Sequence, residues 1–280
     1  MKKKKARGPK YISSPLNNDM VNYKEYYMSP SEKILYFLAT FIVGGLAGLI
    51  FYGGLFKVDG EATNVTYISN AIFFVLAGLV AAKFFIPAIR NSLKEKRDRK
   101  LKKQFMDMLE TLSTSLSAGT TINESFINAR DDLLNQYTKN DLIVVETSEI
   151  VSGIQNGITL EEMLANFGER ANNDDINNFS NVMANCYRLG GNFKDVVRKT
   201  RDIISDKIQI SEEIETKLAS NKMQLNAMSI MPVILVGMLK LTSSSFSENL
   251  SSLTGVFVTT IAIGIFIGSY FWGRKIINIK

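Results

Sequence analysis

The sequence predicts an all-α integral membrane protein in which four transmembrane helices flank a cytoplasmic bundle of six helices between spans 2 and 3. Three observations lead there. Apolar residues pile up in two blocks, near residues 34–89 and 225–272, within a chain of 280 residues. Between the blocks the sequence is polar and repeats its apolar positions at helical spacing. Strand-like alternation is missing from that middle stretch, so helices are the expected building material throughout.

The chain opens with a basic segment, 1–33, that carries Lys2 to Lys5, Arg7 and Lys10. Residues 34–56 follow without a charge, and about 20 helical residues suffice to cross a hydrocarbon core of about 30 Å. Gly44 and Gly48 stand at the small-x-x-x-small spacing that permits close helix contact. Glycine is also simply common in membrane helices, and both readings stand. No cleavage site follows the basic segment, so the first span is expected to be an anchor.

Residues 67–89 form the second expected span. Its Lys83 lies about two turns from the end and is expected to reach back to the interface along its own aliphatic stem. A basic collar, 90–103, comes next, with eight Lys/Arg against two acids. The third span, 225–242, contains Asn226, Ser229 and Lys240, and Pro232 removes a backbone donor and predicts a kink. The fourth, 253–272, ends on Trp272 before Arg274 and Lys275 in a basic tail, 273–280, a pattern of interfacial exit. The loops 57–66 and 243–252 carry one lysine between them. Positive residues stay inside, so both termini and the central domain are expected in the cytoplasm.

Within the central domain, 104–222, capping signals divide the helices. Phe105, Met108, Leu109, Leu112 and Leu116 make one stripe, which should stop at Gly119. Thr121 with Glu124 and Thr159 with Glu162 read as capping boxes that open helices. A helix over about 142–155 should stop at Gly157. Ile176, Phe179, Val182, Met183 and Cys186 form a stripe ending at Gly190-Gly191. Asn192 can cap the last helix, whose stripe of Phe193, Val196, Val197, Thr200, Ile203 and Ile204 continues toward the third span.

Composition excludes much chemistry. The chain has no histidine, which removes Ser-His-Asp triads, His-based zinc sites and phosphorelay histidines. Cys186 is the single cysteine, so an internal disulfide is impossible, and its place on an apolar stripe reads as core. Gly190-Gly191-Asn192 precedes a helix but lacks the spacing and the preceding strand of a phosphate loop. The acid pairs Asp131-Asp132, Glu161-Glu162 and Asp174-Asp175 fall in first turns, on exposed faces or in connecting segments. They read as structural or solvated, since acids near helix starts favour the dipole and a general acid needs a desolvated pocket. No carboxylate interrupts the spans. The expectation is therefore a protein that is not an enzyme, with no catalytic residue, cofactor or metal.

Charge is distributed unevenly. Residues 104–222 hold 19 acids and 11 bases, a net of −8, although the whole chain is +6. The collar and the amino terminus lie where anionic lipid headgroups are expected, and nucleic acid is not an expected partner. The acidic surface is either a solvated face or a docking face for a basic protein.

The order of these features resembles the F-domain platform proteins of type II secretion and type IV pilus systems, with the tight-adherence (Tad/Flp) pilus B and C proteins as the nearest branch. The residues that carry the resemblance are Leu112-Ser-Thr-Ser-Leu-Ser-Ala-Gly119 with Glu124-Ser-Phe126, then Arg188-Leu-Gly-Gly-Asn-Phe193, then Lys217-Leu-Ala-Ser-Asn-Lys222 leading to Met231-Pro232. Phe193 stands where the family usually has leucine, and only one such domain is present, which favours the shorter pilus branch.

The resemblance implies a non-enzymatic, oligomeric platform in the inner membrane. Its partners would be membrane lipids, a cytoplasmic secretion ATPase, a paired platform protein, and the prepilin or pilin assembled there. Gly119, Gly190, Gly191, Asn192 and Pro232 are its candidate structural and coupling residues. A four-span channel or transporter with a regulatory helical domain is the alternative, with Lys83 and Lys240 as its only charged candidates within the spans.

Overall fold

The structure, a computed structural model, describes residues 9–56 and 62–277. Lys2 to Lys5 and Arg7, the first-loop residues 57–61 and the last three residues lie outside the described residues, as do the side chains of Arg274 and Lys275. The described residues form a small antiparallel hairpin and nine helices. Two of the helices are very long. The chain divides into two compact units, Met1–Tyr27 with Arg90–Ser211, and Met28–Ile89 with Glu212–Lys280.

The first unit is helical apart from its start. Strands β1 (Tyr11–Ser13) and β2 (Asp19–Val21) pair antiparallel, with Ile12 opposite Met20. Asn17, in the left-handed region at φ 61°, makes the turn between them. The helices are the second part of α2 (Asn64–Ser117), then α3 (Ile122–Gln136), α4 (Leu142–Gln155), α5 (Leu160–Ala171), α6 (Asp174–Leu189) and the first part of α7 (Phe193–Thr242). Local signals set their ends. Thr121 accepts from the Glu124 N–H and Thr159 from the Glu162 N–H, each satisfying an orphan donor of a first turn. Gly119, Gly157 and Gly190 all have positive φ where a helix stops.

The core is a continuous apolar cluster from every helix of this unit. Phe105 of α2 sits at its centre, edge-on to Phe179 of α6 (ring centroids 5.4 Å apart) and tilted against Phe167 of α5 (6.1 Å). Two residues read as inward are exposed. Val182 and Ile203 are 47% and 54% exposed. Each falls roughly a quarter-turn outside the arc defined by its buried neighbours, Ile176, Phe179 and Met183 in one helix and Val197 and Ile204 in the other. The stripes are narrower than the sequence suggests.

The second unit contains α1 (Pro30–Tyr52), the first part of α2, the second part of α7, a short α8 (Ser244–Leu250) and α9 (Leu253–Ile277). Four of the helices are long and apolar enough to cross a membrane. Pro30 occupies the first position of α1, and the Glu32 carboxylate accepts from the Ser29 N–H. The second loop contains α8, which Ser243 caps by accepting from the Phe246 N–H. The packing between α1 and α2 depends on small residues: a Cβ on Gly44 would meet Ala81, one on Gly48 would meet Ala77, and one on Gly78 would meet Phe41. Gly44-x-x-x-Gly48 is therefore a contact face between helices.

The collar is not a separate segment. It lies inside α2, which runs as one helix of 54 residues through Pro87 and on to Ser117. Likewise α7 runs for 50 residues through Pro232 without a break.

Candidate functional site

The turn between α6 and α7 is built from three adjacent residues. Gly190 ends α6 at φ 70°, a conformation that β-carbons penalise by about 1–2 kcal/mol. The Gly191 N–H donates to the Cys186 carbonyl at 2.9 Å, and a Cβ on Gly191 would lie 2.6 Å from the Cys186 sulfur. Cys186 is buried, and burial pushes its thiol pKa up, as expected of an inert core residue. Asn192 then accepts from the Asp195 N–H (3.3 Å) and donates to the Asp195 carboxylate (2.8 Å), closing the first turn of α7. Tyr187 and Phe193 pack ring against ring across the turn at 6.1 Å. The direction in which α7 leaves is thereby set by a left-handed residue, a crowded glycine and a cap.

Gly119 and Pro232 are separate from this turn. Gly119 has φ 89° and open space around it, so its role is conformational. Beside it, the Thr120 hydroxyl donates to the Ser115 carbonyl. Pro232 lies in the part of α7 that belongs to the second unit.

A second cluster joins α4, α5 and the amino-terminal hairpin segment. Arg170 of α5 and Glu146 of α4 form a two-pronged ion pair at 2.6 and 2.8 Å, with side chains 2% and 1% exposed. The Tyr23 hydroxyl donates to the same carboxylate at 2.9 Å, and Arg170 also donates to the Val21 carbonyl and to Asn166. The Tyr23 N–H donates to the Arg170 carbonyl. Burial, then the neighbouring Glu146 charge, raises the Tyr23 pKa well above the ordinary phenol value, so it stays a donor. The hairpin is fastened further where Ser14 and Asn18 donate to Glu149 of α4. Segment 9–27 is thus part of the folded first unit.

A sequence signal for this cluster existed. Glu146 falls on the same stripe as Ile143 and Ile150, and Arg170 continues that of Met163 and Phe167. Two opposite charges at core positions of successive helices predict each other.

The collar has a corresponding use. Arg97 donates to the carbonyls of Tyr23 (2.7 Å) and Glu25 (3.2 Å), and its guanidinium lies 5.3 Å from the rings of Tyr23 and Tyr26. Lys100 pairs with Asp141 at 2.6 Å, and Lys102 pairs with Asp175 at 3.2 Å. Lys207 of α7 reaches Asp175 as well, so this acid of the Asp174-Asp175 pair bridges α2 and α7. The Lys100 and Thr138 hydrogen bonds hold Asp141 well below the usual carboxylate range. Burial alone would raise Asp175, but Lys207 and Lys102 outweigh it and lower its pKa. Half-buried Asp98 is raised by burial against the pull of Arg97. Three of the eight collar cations therefore hold the domain together, a use the lipid-facing reading of the collar did not foresee.

The family model described as type II secretion system (T2SS), protein F matches residues 108–240. No curated protein and no solved structure matches the chain. The match begins inside the last turns of α2, takes in the helical domain with both the α6–α7 turn and the Glu146–Arg170 cluster, and ends near the end of α7. Through this segment the chain is similar to the type II secretion system protein F family.

Proposed function

We propose that this chain is an inner-membrane platform of a type IV pilus or type II-like secretion machine, of the tight-adherence (Tad/Flp) branch, and that it couples a cytoplasmic secretion ATPase to pilin assembly. The observation that carries the reading is the continuity of α7. Within one family match, a helix that starts at the capped Gly190–Asn192 turn proceeds without interruption into an apolar stretch long enough to span a membrane. A helix transmits displacement along its axis better than a flexible linker does, and α2 offers a second unbroken connection. The net acidic surface of 104–222 suits a basic docking face on the ATPase or on a paired platform protein.

The reading places both termini and the helical domain in the cytoplasm, with loops 57–66 and 243–252 outside. Cross-linking of residues 104–222 to a co-expressed secretion ATPase tests the coupling. An adduct is expected, and its absence with both proteins present in the same membranes would remove the ATPase from the proposal. Single cysteines placed in the two loops should react with an impermeant maleimide in intact cells, and cysteines placed in 104–222 should not.

The channel alternative is weaker on one observation. Lys240 is occupied by the end of α1, as described next, instead of lining a path.

A further inference from the structure

Lys240 stands in the last turn of α7, within the apolar stretch of that helix. An ammonium in such a place is expensive unless it meets acceptors, so its partners are informative. Its Nζ donates to the carbonyl oxygens of Ile50, at 3.2 Å, and of Gly53. These carbonyls belong to the C-terminal end of α1, where the last acceptors of a helix have no partner within it. The aligned peptide dipoles leave partial negative charge there. Near the end of a span few waters compete for either group, and a charged donor makes the strongest hydrogen bond on offer.

Two neighbouring contacts mark the same place as a junction. A Cβ on Gly237, almost one turn before Lys240, would lie 3.8 Å from the Ile50 side chain, so α7 approaches α1 closely there. The Tyr52 hydroxyl at the end of α1 is 3.0 Å from the Thr260 hydroxyl of α9. Three membrane helices meet at the end of α1, and Lys240 is the charged member of the junction.

We infer that Lys240 is the positioning residue that ties the membrane end of α7 to the C-terminal end of α1, so that a displacement entering α7 is delivered to α1 and, through Tyr52, to α9. The inference rests on the platform reading for its purpose, but the tie itself can be measured without it.

The test uses the full chain in its own membrane, with Cys186→Ala as background and cysteines introduced as Ile50→Cys and Gly237→Cys. A short thiol-specific cross-linker should join the two positions in this background. Lys240→Met should lower the yield about tenfold, the factor that corresponds to one charge-assisted hydrogen bond, and Lys240→Arg should restore most of it. Yields are normalised to the protein present in the membrane. Tyr52→Phe is a second variant that leaves the Lys240 contacts in place and should cross-link like the parent. An equal yield with Lys240→Met overturns the tie.

Filament assembly in the same cells, without the introduced cysteines, reads the second half. Assembly should fall with Lys240→Met and return with Lys240→Arg. A lost cross-link together with undiminished assembly would overturn delivery through Lys240. Deleting the whole chain separates the two ideas: unchanged export in the deletion strain rejects the platform reading, while the cross-link still reports on the tie.

Discussion

The two units hold themselves together in opposite ways. In the first, large apolar side chains such as Phe105, Phe126 and Phe167 are fully buried, and the buried Glu146–Arg170 pair is bidentate with further hydrogen bonds. In the second, Ile34, Val43, Ile68 and Phe84 are each at least 60% exposed, while the contact between helices is made by glycine and alanine. Water drives the first arrangement, because apolar surface leaves it at roughly 25 cal/mol per Å². Lipid offers no such gain, so the second unit depends on close backbone approach and on polar contacts such as that of Lys240. The same residue type is therefore core in one unit and solvent-facing in the other.

The largest expected effect attacks the first unit at its buried charges. Arg170→Ala leaves Glu146 buried without a countercharge and should destabilise the domain by about 3–5 kcal/mol, seen as early proteolysis of 104–222 or loss of the protein from the membrane. Replacing both residues together by apolar ones, Glu146→Leu with Arg170→Met, should recover much of the loss. Failure of the double variant to recover would mean that the pair also selects the fold by fixing the hairpin.

The second unit is attacked by adding bulk. Gly48→Leu should force α1 away from Ala77 of α2 and lower stability by about 1–3 kcal/mol, measured as a lower melting temperature in detergent. Gly48→Ala, with its single methyl, should lie between. An unchanged melting temperature for Gly48→Leu would show that the glycine seam is not what holds these helices.

At the α6–α7 turn, Gly191→Val places carbon against the Cys186 sulfur and should impair folding or filament assembly. Wild-type assembly at normal protein levels would remove the turn from the mechanism. Gly190→Ala should be milder, about 1–2 kcal/mol, because only its left-handed backbone is affected.

The smallest effect is one of pH. Asp141 and Asp175 are held below their ordinary values, so their contribution is present above the unfolded carboxylate pKa of about 4. It is lost as pH falls through the folded value. Melting temperature should therefore drop on acidification below about pH 4, and Asp141→Asn should flatten that drop. The chain has no histidine to add a transition between pH 5 and 8.

What was legible in the sequence was local or periodic. Thr121, Thr159 and the glycines at 119, 157 and 190 announce helix ends within a few residues of themselves, and four apolar runs announce spans by length. Long-range arrangements were not legible. Tyr23 meets Glu146 across 123 positions, and nothing in the spacing of either residue points to the other. The collar misleads for a related reason: a dense run of lysine and arginine suggests a lipid surface, whereas Arg97, Lys100 and Lys102 are matched by single acids and carbonyls far along the chain. Pro87 lies inside α2 without ending it, because one missing donor does not outweigh the remaining bonds of a long helix.

The docked hairpin has a consequence for the order in which the molecule is made. Its residues leave the ribosome before the first two spans, but the helices that receive Tyr23, Ser14 and Asn18 are not translated until after them. The hairpin must therefore wait, undocked, while those spans enter the membrane, and its closure brings together the most distant contacts of the domain. Such distant contacts form slowly because the loop entropy is lost before they are gained. Completion of the helical domain is thereby made to follow insertion of the anchor.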